Sequence, residues 1–268
     1  MAKKVGIIGA GPSGISAAVQ LTRYGISTTV FEKRKIGGLV ENAYRIDNSM
    51  LYPDGISGRE FVKILEDYAR RYRIDIKKEE VLRVEKNEKF IIHTREGEYV
   101  FSYLIVATGT KPKKLDIPGA KYHITDIEDE RRVMIIGGGD IALDYALSAS
   151  EIGEAIVLHR SELKAIPSLQ EEVQKNPRVR LVRGVLHSWN GSRAVTSAGI
   201  FDVDVILVAI GRVPNIDIVR HITSDRMFIV GDARNGIYRQ SSLAIADGIR
   251  AAMKIWRCEK YGDSCRDW

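Results

Sequence analysis

Two glycine-rich loops are the residues whose types and spacing most clearly indicate chemistry. One is GAGPSG at 9–14 and the other is GGGDIA at 137–142. Each follows a short apolar run and precedes a helical segment, which is the context in which such loops bind the pyrophosphate of a dinucleotide. Backbone amides and the helix dipole favour the phosphate charge there. The sequence therefore predicts two dinucleotide sites.

The first loop matches the full pattern. Gly9 permits a tight turn, Gly11 lets the pyrophosphate approach the backbone, and Gly14 lets the helix pack closely on the strand. Glu32 follows Gly9 by 23 residues, the distance at which an acid accepts hydrogen bonds from an adenosine ribose. This loop predicts a dinucleotide without a 2′-phosphate.

The second loop carries Gly137, Gly139 and Ala142, and at the matching distance it has Arg160 in place of an acid. A guanidinium can hold a 2′-phosphate with paired hydrogen bonds, and His159 and Lys164 lie nearby. This predicts NADPH, although Arg160 as a solvated charge leaves NADH open. Two dinucleotides in one chain indicate a flavoprotein in which FAD stays bound and receives hydride from the nicotinamide.

The elements that position these loops form a repeat. Segments 3–34 and 131–162 both read as strand, turn, helix and strand, and apolar strands at 103–110 and 205–212 follow them. Small antiparallel hairpins are predicted at 81–101 and 179–203. A third apolar strand, at 227–233, has no glycine loop of its own, so we expect it to complete the first unit.

The predicted fold is therefore α/β, with two nested Rossmann-like dinucleotide-binding domains of the three-layer ββα type. Each domain carries a small antiparallel hairpin sheet. The expected FAD-binding domain is discontinuous, at 1–115 and 215–268, and the NAD(P)H-binding domain at 116–214 is inserted into it. The two crossing linkers, GTKPKKLDIPG and GRVPN, both contain proline.

Composition narrows the class of protein. The 268 residues are 44% hydrophobic, and no apolar run approaches the roughly 20 residues that span a bilayer. Without a signal-peptide pattern, we expect a cytoplasmic protein that does not bind membranes.

No basic stretch is interleaved with aromatic residues, so nucleic acid is not an expected partner. The net charge of +6 is typical of a solvated, lysine-rich surface, and it also fits an acidic protein partner or a cofactor phosphate. His93, His123, His187 and His221 have no metal-site spacing and are interpreted as surface or packing residues.

Beyond the loops, five segments carry a family resemblance: IGGLVENAYRIDN, YPDGISGREFVKILEDYARRY, VATGTKPKKLDIPG, HRSELKA and FIVGDARNGIYRQSSLAIADGIRAA. With them, nearly the whole chain resembles the low-molecular-weight thioredoxin reductases and related two-domain FAD/NAD(P)H oxidoreductases. The resemblance implies a homodimer. It also implies that Asp232 holds the ribityl–phosphate part of FAD, with Arg239, Gln240 and Ser241 beside the flavin ring.

The same resemblance extends both sets of cofactor contacts. For FAD it implies Gly9, Gly11, Pro12, Ser13, Gly14, Glu32, Lys33, Gly38, Leu39, Asn48, Val81, Thr108, Gly109, Gly231, Asp232, Arg239, Gln240 and Ser241. For NAD(P)H it implies Gly137, Gly139, Asp140, Ile141, Ala142, His159, Arg160, Lys164, Ile210 and Gly211. No metal ligand is expected. IGGLVENAYRIDN, at 36–48, resembles the family's flavin-facing segment and is given that name below. It contains Tyr44, which either stacks on the ring or packs beneath it.

One feature of the family is missing. Its reductases carry a C-x-x-C pair before the second glycine loop, but the corresponding stretch, AKYHITDIEDERRVMIIGGG, contains no cysteine. The main hypothesis is therefore an NAD(P)H-dependent FAD oxidoreductase that passes electrons directly to a ferredoxin-like protein, a quinone, oxygen or another small acceptor. One alternative is a disulfide reductase that uses Cys258 and Cys265 or an external dithiol. A second is a FAD-binding protein without fast turnover.

Cys258 and Cys265 are the only cysteines in the chain. We expect Cys258 to follow the last helix, which starts beside the flavin and leads away by about 25–30 Å at 1.5 Å per residue. This favours a structural or inert role over a catalytic one. A disulfide between the two cysteines and a pair of free thiols both remain open.

Overall fold

The computed structural model describes residues 4–262. Its strands are β1 (Lys4–Ile8), β2 (Ser27–Phe31), β3 (Asp75–Lys77), β4 (Arg83–Lys86), β5 (Phe90–His93), β6 (Glu98–Phe101), β7 (Tyr103–Val106), β8 (Thr110–Pro112), β9 (Arg132–Ile136), β10 (Glu154–His159), β11 (Val179–Arg183), β12 (Leu186–Trp189), β13 (Arg193–Thr196), β14 (Gly199–Asp202), β15 (Val205–Val208), β16 (Arg212–Pro214) and β17 (Met227–Ile229). Its α-helices are α1 (Pro12–Arg23), α2 (Gly58–Arg71), α3 (Asp140–Ile152), α4 (Pro167–Lys175) and α5 (Ser241–Tyr261). Short 3₁₀ helices occur at Gly38–Asn42, Ile124–Asp126, Asp217–Val219 and Gly231–Ala233.

The first unit is built on a five-stranded parallel sheet with the order β17-β7-β1-β2-β3. Both faces of this sheet are covered, so β7 is apolar and buried throughout, and β1 is buried after Lys4. Val5 and Ile7 of β1 point into one core with helices α1, α2 and α5. Ile8 and Leu104 point into the opposite core with the antiparallel strands β4–β6. These three layers are the predicted ββα arrangement.

The second unit repeats the design with a four-stranded parallel sheet in the order β11-β10-β9-β15. Helices α3 and α4 cover one face, where Val133 and Ile135 are fully buried. The antiparallel strands β12–β14 lie over the other face, and Met134 is buried beneath them. The two units thus share one layer order, which confirms the predicted fold class.

One predicted hairpin boundary is wrong. Segment 179–203 was expected to be antiparallel throughout, but β11 pairs in parallel with β10, and only β12–β14 form the antiparallel sheet. The sequence VRLVR places arginines between apolar residues, as hairpin strands do. In the structure β11 is an edge strand whose two arginines are exposed, while Val179 and Leu181 pack on one core and Val182 packs on the opposite core.

The chain crosses between the units twice. Strands β8 and β16 lie side by side as an antiparallel ribbon, and Arg212 donates from Nε and Nη2 to the hydroxyl and carbonyl of Thr110 at 2.8 and 3.0 Å. Strand β17 then returns to the edge of the first sheet beside β7. The residue boundaries of the two domains stay a prediction. Within residues 4–262, no helix combines the length and the apolar character that crossing a bilayer requires.

Candidate functional site

The first glycine loop is closely packed against its own unit. A Cβ at Gly9 would lie 2.3 Å from the carbonyl oxygen of Ala107, and a Cβ at Gly14 would lie 1.9 Å from the carbonyl oxygen of Gly9. Gly9 also has a φ of +104°, which side chains rarely adopt. The backbone positions therefore require glycine, as predicted for a tight turn and close helix–strand packing.

Gly11 differs from both, because its surroundings are open. The nearest atom to an added Cβ is the carbonyl oxygen of Gly37, at 3.9 Å, and φ is an ordinary −75°. Gly11 is the N-cap of α1, and no side chain caps that helix. Pro12 occupies the first turn and Ser13 is buried there. The amides at the start of α1 are thus accessible to a phosphate.

The second loop reproduces this geometry. A Cβ at Gly137 would lie 2.4 Å from the carbonyl oxygen of Ala209, the counterpart of the contact between Gly9 and Ala107. An added Cβ at Gly139 would meet nothing within 4 Å, and Gly139 is the uncapped N-cap of α3. Ala142 is fully buried. The loop is therefore wide enough for a methyl group where the first loop needs Gly14.

Glu32 lies at the carboxyl end of β2, next to the first loop. Its carboxylate accepts hydrogen bonds from the backbone amides of Ala10 and Arg34, both at 2.9 Å. A cavity of about 160 Å³ adjoins it, lined by Glu32, Arg34, Lys35, Ile36, Ile76 and Lys78. Glu32 is thus fixed beside a space, which fits the predicted role at an adenosine ribose.

A turn at 231–235 faces the same loop from the other side. A Cβ at Gly231 would lie 2.7 Å from Oγ of Ser13, so the turn packs directly on the start of α1. Asp247 of α5 is buried and accepts hydrogen bonds from the Gly231 amide at 3.2 Å and from Nδ2 of Asn235 at 2.8 Å. These bonds hold Asp232 in place. Asp247 was not among the predicted site residues, and its only signal in the sequence is an acid within an otherwise small and apolar stretch, AIADG.

Asp232 has an unusual electrostatic setting. Burial raises the pKa of its carboxyl, and the nearby Arg239 and Arg212 oppose that rise. Burial in turn lowers the pKa of Arg212, and Arg239 and Arg34 add repulsion. Two arginines therefore lie near the Asp232 carboxylate, and a third, Arg34, lies near Arg212. Such a surplus of positive charge suits a bound diphosphate.

The predicted NAD(P)H residues also come together. His159 ends β10, and its β-carbon would lie 3.3 Å from a Cβ at Gly138. The Lys164 amide donates to the Gly138 carbonyl at 2.7 Å, so segment 159–164 lies along the second loop. Arg160 is exposed. Asp140 accepts a hydrogen bond from the Ile166 amide at 2.8 Å, which fixes the start of α4 beside the loop.

The remaining predicted contacts are spread around the two sites. Thr108 and Gly109 follow β7, where Oγ1 of Thr108 donates to the Asn215 carbonyl at 2.5 Å and the Gly109 carbonyl accepts from the Asn215 amide at 2.9 Å. Ile210 and Gly211 follow β15 at the matching position. Most of the other predicted FAD residues lie in the first unit. Lys33 pairs with Glu80, Asn48 is exposed and Val81 packs against the core beneath β4–β6. Gly38 and Leu39 lie in the first 3₁₀ helix, Gln240 and Ser241 lie at the start of α5, and Ile141, predicted for NAD(P)H, lies on α3 of the second unit.

The flavin-facing segment of the first unit begins on the first loop and ends on the second unit. An added Cβ at Gly38 would lie 3.5 Å from Cα of Gly11. Further along, the Tyr44 amide donates to the carboxylate of Asp144 on α3 at 3.0 Å, and the Tyr44 side chain packs against the second unit's core. Whether the Tyr44 ring meets the flavin stays a prediction. Arg45 pairs with Glu172 of α4 at 2.9 Å.

Asp144 gives this contact a pH dependence. Burial raises the pKa of its carboxyl to about 7, opposed by the Tyr44 amide and supported by Asp47. The pKa of Asp144 is higher in the folded protein than in the unfolded chain. Protonation of Asp144 therefore contributes its full stabilisation below about pH 4, and this contribution is lost as pH rises through about 7. Asp144→Asn should therefore be more stable than the parent above about pH 7, by on the order of 2–4 kcal/mol. Denaturant unfolding at about pH 5 and about pH 8 measures this difference.

The matched control is Asp129→Asn, which removes an exposed carboxylate from the same unit. It should leave the pH profile of stability unchanged. An Asp144→Asn profile parallel to that of the parent protein would show that Asp144 is not the titrating group.

Cys258 lies apart from this site. Cys258 is within α5, not after it as expected, and it is disulfide-bonded. It packs against the first core. Its position is 17 residues past the start of α5, or about 26 Å along the helix at 1.5 Å per residue. Cys265 lies outside the described residues.

These features fit two dinucleotides. Both loops are tightly packed at Gly9 and Gly137, where the turn needs glycine, and open at Gly11 and Gly139, where a phosphate would approach. Asp232 and Arg212 are half-buried beside the first loop. Within residues 4–262, no three His, Cys, Asp or Glu side chains are grouped as ligands for a metal ion.

Comparisons with known proteins agree with this geometry. The sequence profile of the pyridine nucleotide-disulphide oxidoreductases matches residues 3–248. Thioredoxin reductase from Treponema pallidum is 29% identical, covering 92% of this chain and 94% of its own. That of Peptoclostridium acidaminophilum is 28% identical, covering 95% of both chains. The crystal structure of Lactococcus lactis thioredoxin reductase superposes with a TM-score of 0.85 at 24% identity, over 95% of this chain and 98% of the other.

Proposed function

The chain belongs to the pyridine nucleotide-disulphide oxidoreductase family, as a thioredoxin reductase-like enzyme, and from this premise we propose that it carries electrons from NADPH through FAD to an external disulfide. The observation that carries the proposal is the pair of equivalent loops, each with an open glycine at an uncapped helix start. FAD, when bound, supplies the two-electron chemistry that links nicotinamide to acceptor.

The residues of the first unit have defined tasks in this proposal. Gly11 and the amides of α1 bind the pyrophosphate, Glu32 accepts from the ribose, and Asp232 orients the ribityl chain. The charges of Arg212 and Arg239 offset the diphosphate. In the second unit, Gly139 admits the pyrophosphate of NADPH, and Arg160 binds its 2′-phosphate.

The comparisons change the expected electron acceptor. Direct transfer to a ferredoxin or a quinone was the main hypothesis, but the relatives' names favour the alternative, a thiol–disulfide reaction. Between the two versions of that alternative, the structure supports an external dithiol. Cys258 packs on the first core, far along α5 from Ser241, whose end of the helix is the one predicted to lie near the flavin.

Anaerobic titration of the purified protein with NADPH tests the proposal. We expect the flavin absorbance to bleach and to recover on addition of a disulfide such as dithiobis(nitrobenzoate). The double variant Cys258→Ser, Cys265→Ser should recover at a rate within about 2-fold of the parent, because no step requires its own cysteines.

The outcomes separate the alternatives. Absence of bleaching with both NADPH and NADH would overturn the proposed function. Bleaching followed by loss of recovery in the double variant would move the dithiol to the C-terminal segment. A thermal melt of the double variant shows whether the fold is retained.

A further inference from the structure

A second cavity of the first unit lies next to the one beside Glu32. It measures about 390 Å³, and Ile36 and Ile76 line both cavities. The rest of its wall comes from the last two turns of α2 and the residues that follow, including Ala69 and Ile74. Because α2 ends where β3 begins, this cavity extends toward the amino end of β3, away from the carboxyl ends of the parallel strands, where the glycine loop lies. It is therefore a space outside the proposed ribose site.

Arg73 lines this cavity and has an uncommon backbone conformation. Within residues 4–262 it is the one residue other than glycine with a positive φ, at +49°. The Ile74 amide donates to the Ala69 carbonyl at 3.0 Å, and the Arg73 amide donates to the Arg70 carbonyl at 3.1 Å. These two bonds close α2 in the arrangement that usually places glycine at this position, because a Cβ is disfavoured there. Arginine therefore makes the end of α2 less stable than glycine would.

Helix α1 ends in the same arrangement with the residue that the backbone favours. The sequence RYGI at 23–26 closes α1, and RYRI at 71–74 closes α2. In α1 the position belongs to Gly25, with a φ of +72°, and the Ile26 amide donates to the Leu21 carbonyl at 3.0 Å. The two ends differ at one residue, and the arginine is the one that lines a cavity. A strained residue at such a place indicates that its side chain serves a purpose other than stability.

The cavity also presents two opposite charges that do not pair. Neither the Arg73 guanidinium nor the Glu66 carboxylate has a hydrogen-bond or ion-pair partner among the described residues, whereas the neighbouring Arg70 pairs with Asp67 at 3.0 Å. Glu66 precedes Arg73 by seven residues, or about 10 Å along α2 at 1.5 Å per residue. A ligand that meets both charges must carry an anion and a hydrogen-bond donor at this separation, with an apolar part between them. An α-amino acid, which has both charges on one carbon, is too short.

We propose that this cavity binds a nucleoside monophosphate whose base carries an amino group. The guanidinium of Arg73 binds the phosphate through paired, charge-assisted hydrogen bonds. The carboxylate of Glu66 accepts a hydrogen bond from the amino group, and the base lies against Ile36 and Ile74. The site is additional to both dinucleotide sites and does not depend on the proposed function.

Calorimetric titration of the purified protein with AMP tests the inference. Excess FAD and NADP⁺ keep both glycine loops occupied, so that AMP cannot bind there. We expect one AMP per chain, and Arg73→Gly should weaken its binding by at least about 10-fold. The same variant should raise Tm by about 2–4 °C, because glycine relieves the strained φ. A variant that is more stable but binds less AMP cannot owe the loss to unfolding.

Glu66→Gln tests the other end of the ligand. The parent should prefer AMP to IMP, in which a carbonyl oxygen replaces the amino group, by about 10-fold. The amide of the variant can donate to that oxygen as well as accept from the amino group, so the preference should shrink to within about 2-fold. Adenosine, which lacks the phosphate, should bind equally weakly to the parent and to Arg73→Gly.

The matched control is Gly25→Arg, which makes the reverse exchange at the end of α1. A Cβ at Gly25 would meet nothing within 4 Å, so the change acts through φ alone. It should lower Tm by about 2–4 °C and leave the affinity for AMP unchanged. Equal AMP affinity in Arg73→Gly and the parent, or a parent that binds no AMP while both glycine loops are occupied, would overturn the inference.

Discussion

Gly11→Ala should give a folded protein that has lost most of its affinity for FAD. The backbone tolerates the change, since φ is −75° and the nearest atom to the new Cβ is 3.9 Å away. The methyl group would nonetheless occupy the space through which a pyrophosphate reaches the amides of α1. We expect FAD affinity to fall by about 10- to 100-fold, measured by flavin fluorescence during titration of the apoprotein.

Two further glycines serve as comparisons for this variant. Gly14→Ala places a Cβ 1.9 Å from the Gly9 carbonyl oxygen, so the backbone itself must shift and the protein should be destabilised by about 3 kcal/mol or more. Gly139→Ala makes the same change as Gly11→Ala in the second loop, and it should retain FAD while losing affinity for NAD(P)H. A Gly11→Ala protein that binds FAD as tightly as the parent would refute the assignment of the first loop.

Arg160→Ser should change the preference between nucleotides. An arginine that forms charge-assisted hydrogen bonds with a 2′-phosphate contributes about 1.5–3 kcal/mol, so kcat/KM with NADPH should fall by about 10- to 100-fold. The value with NADH, which has no 2′-phosphate, should stay within about 2-fold. Flavin reduction by each nucleotide, followed by stopped-flow absorbance, measures both.

Arg183→Ser is the matched control, because Arg183 ends the neighbouring strand β11 and pairs with Glu162 at 3.1 Å. It should change neither value appreciably. If Arg160→Ser lowers the rates with NADPH and NADH equally, the side chain contributes to general binding and not to recognition of the 2′-phosphate.

The loops and the layer order could be predicted because they depend on local sequence. Glycines in a strand–turn–helix context have few alternatives, and the repeat supplied the same signal twice. The structure confirms the fold class and reproduces the repeat down to one contact, since Gly9 meets Ala107 as Gly137 meets Ala209. The pairing of β11 was not predictable from VRLVR alone, because the partner β10 determines it.

The contacts between the two units could not be read from the sequence. Tyr44 and Asp144 are 100 residues apart, and neither belongs to a motif. His123 was interpreted as a surface or packing residue because the histidines have no metal-site spacing, and its charged neighbours, Arg34 and Arg212, come from distant segments. Cys258 was expected after α5, but the helix continues to Tyr261, and Trp256 of its last turns stacks on Tyr24.

The return of β17 to the first sheet has a consequence for synthesis of the protein. β17 pairs with β7, about 120 residues earlier in the chain, and α5 then packs on α1 with Gly248 against Ser13. The whole second unit lies between these partners, so it leaves the ribosome complete while the first unit still lacks an edge strand and a covering helix. The second unit can therefore fold first, and the proposed FAD site of the first unit stays incomplete until β17 and α5 have been synthesised.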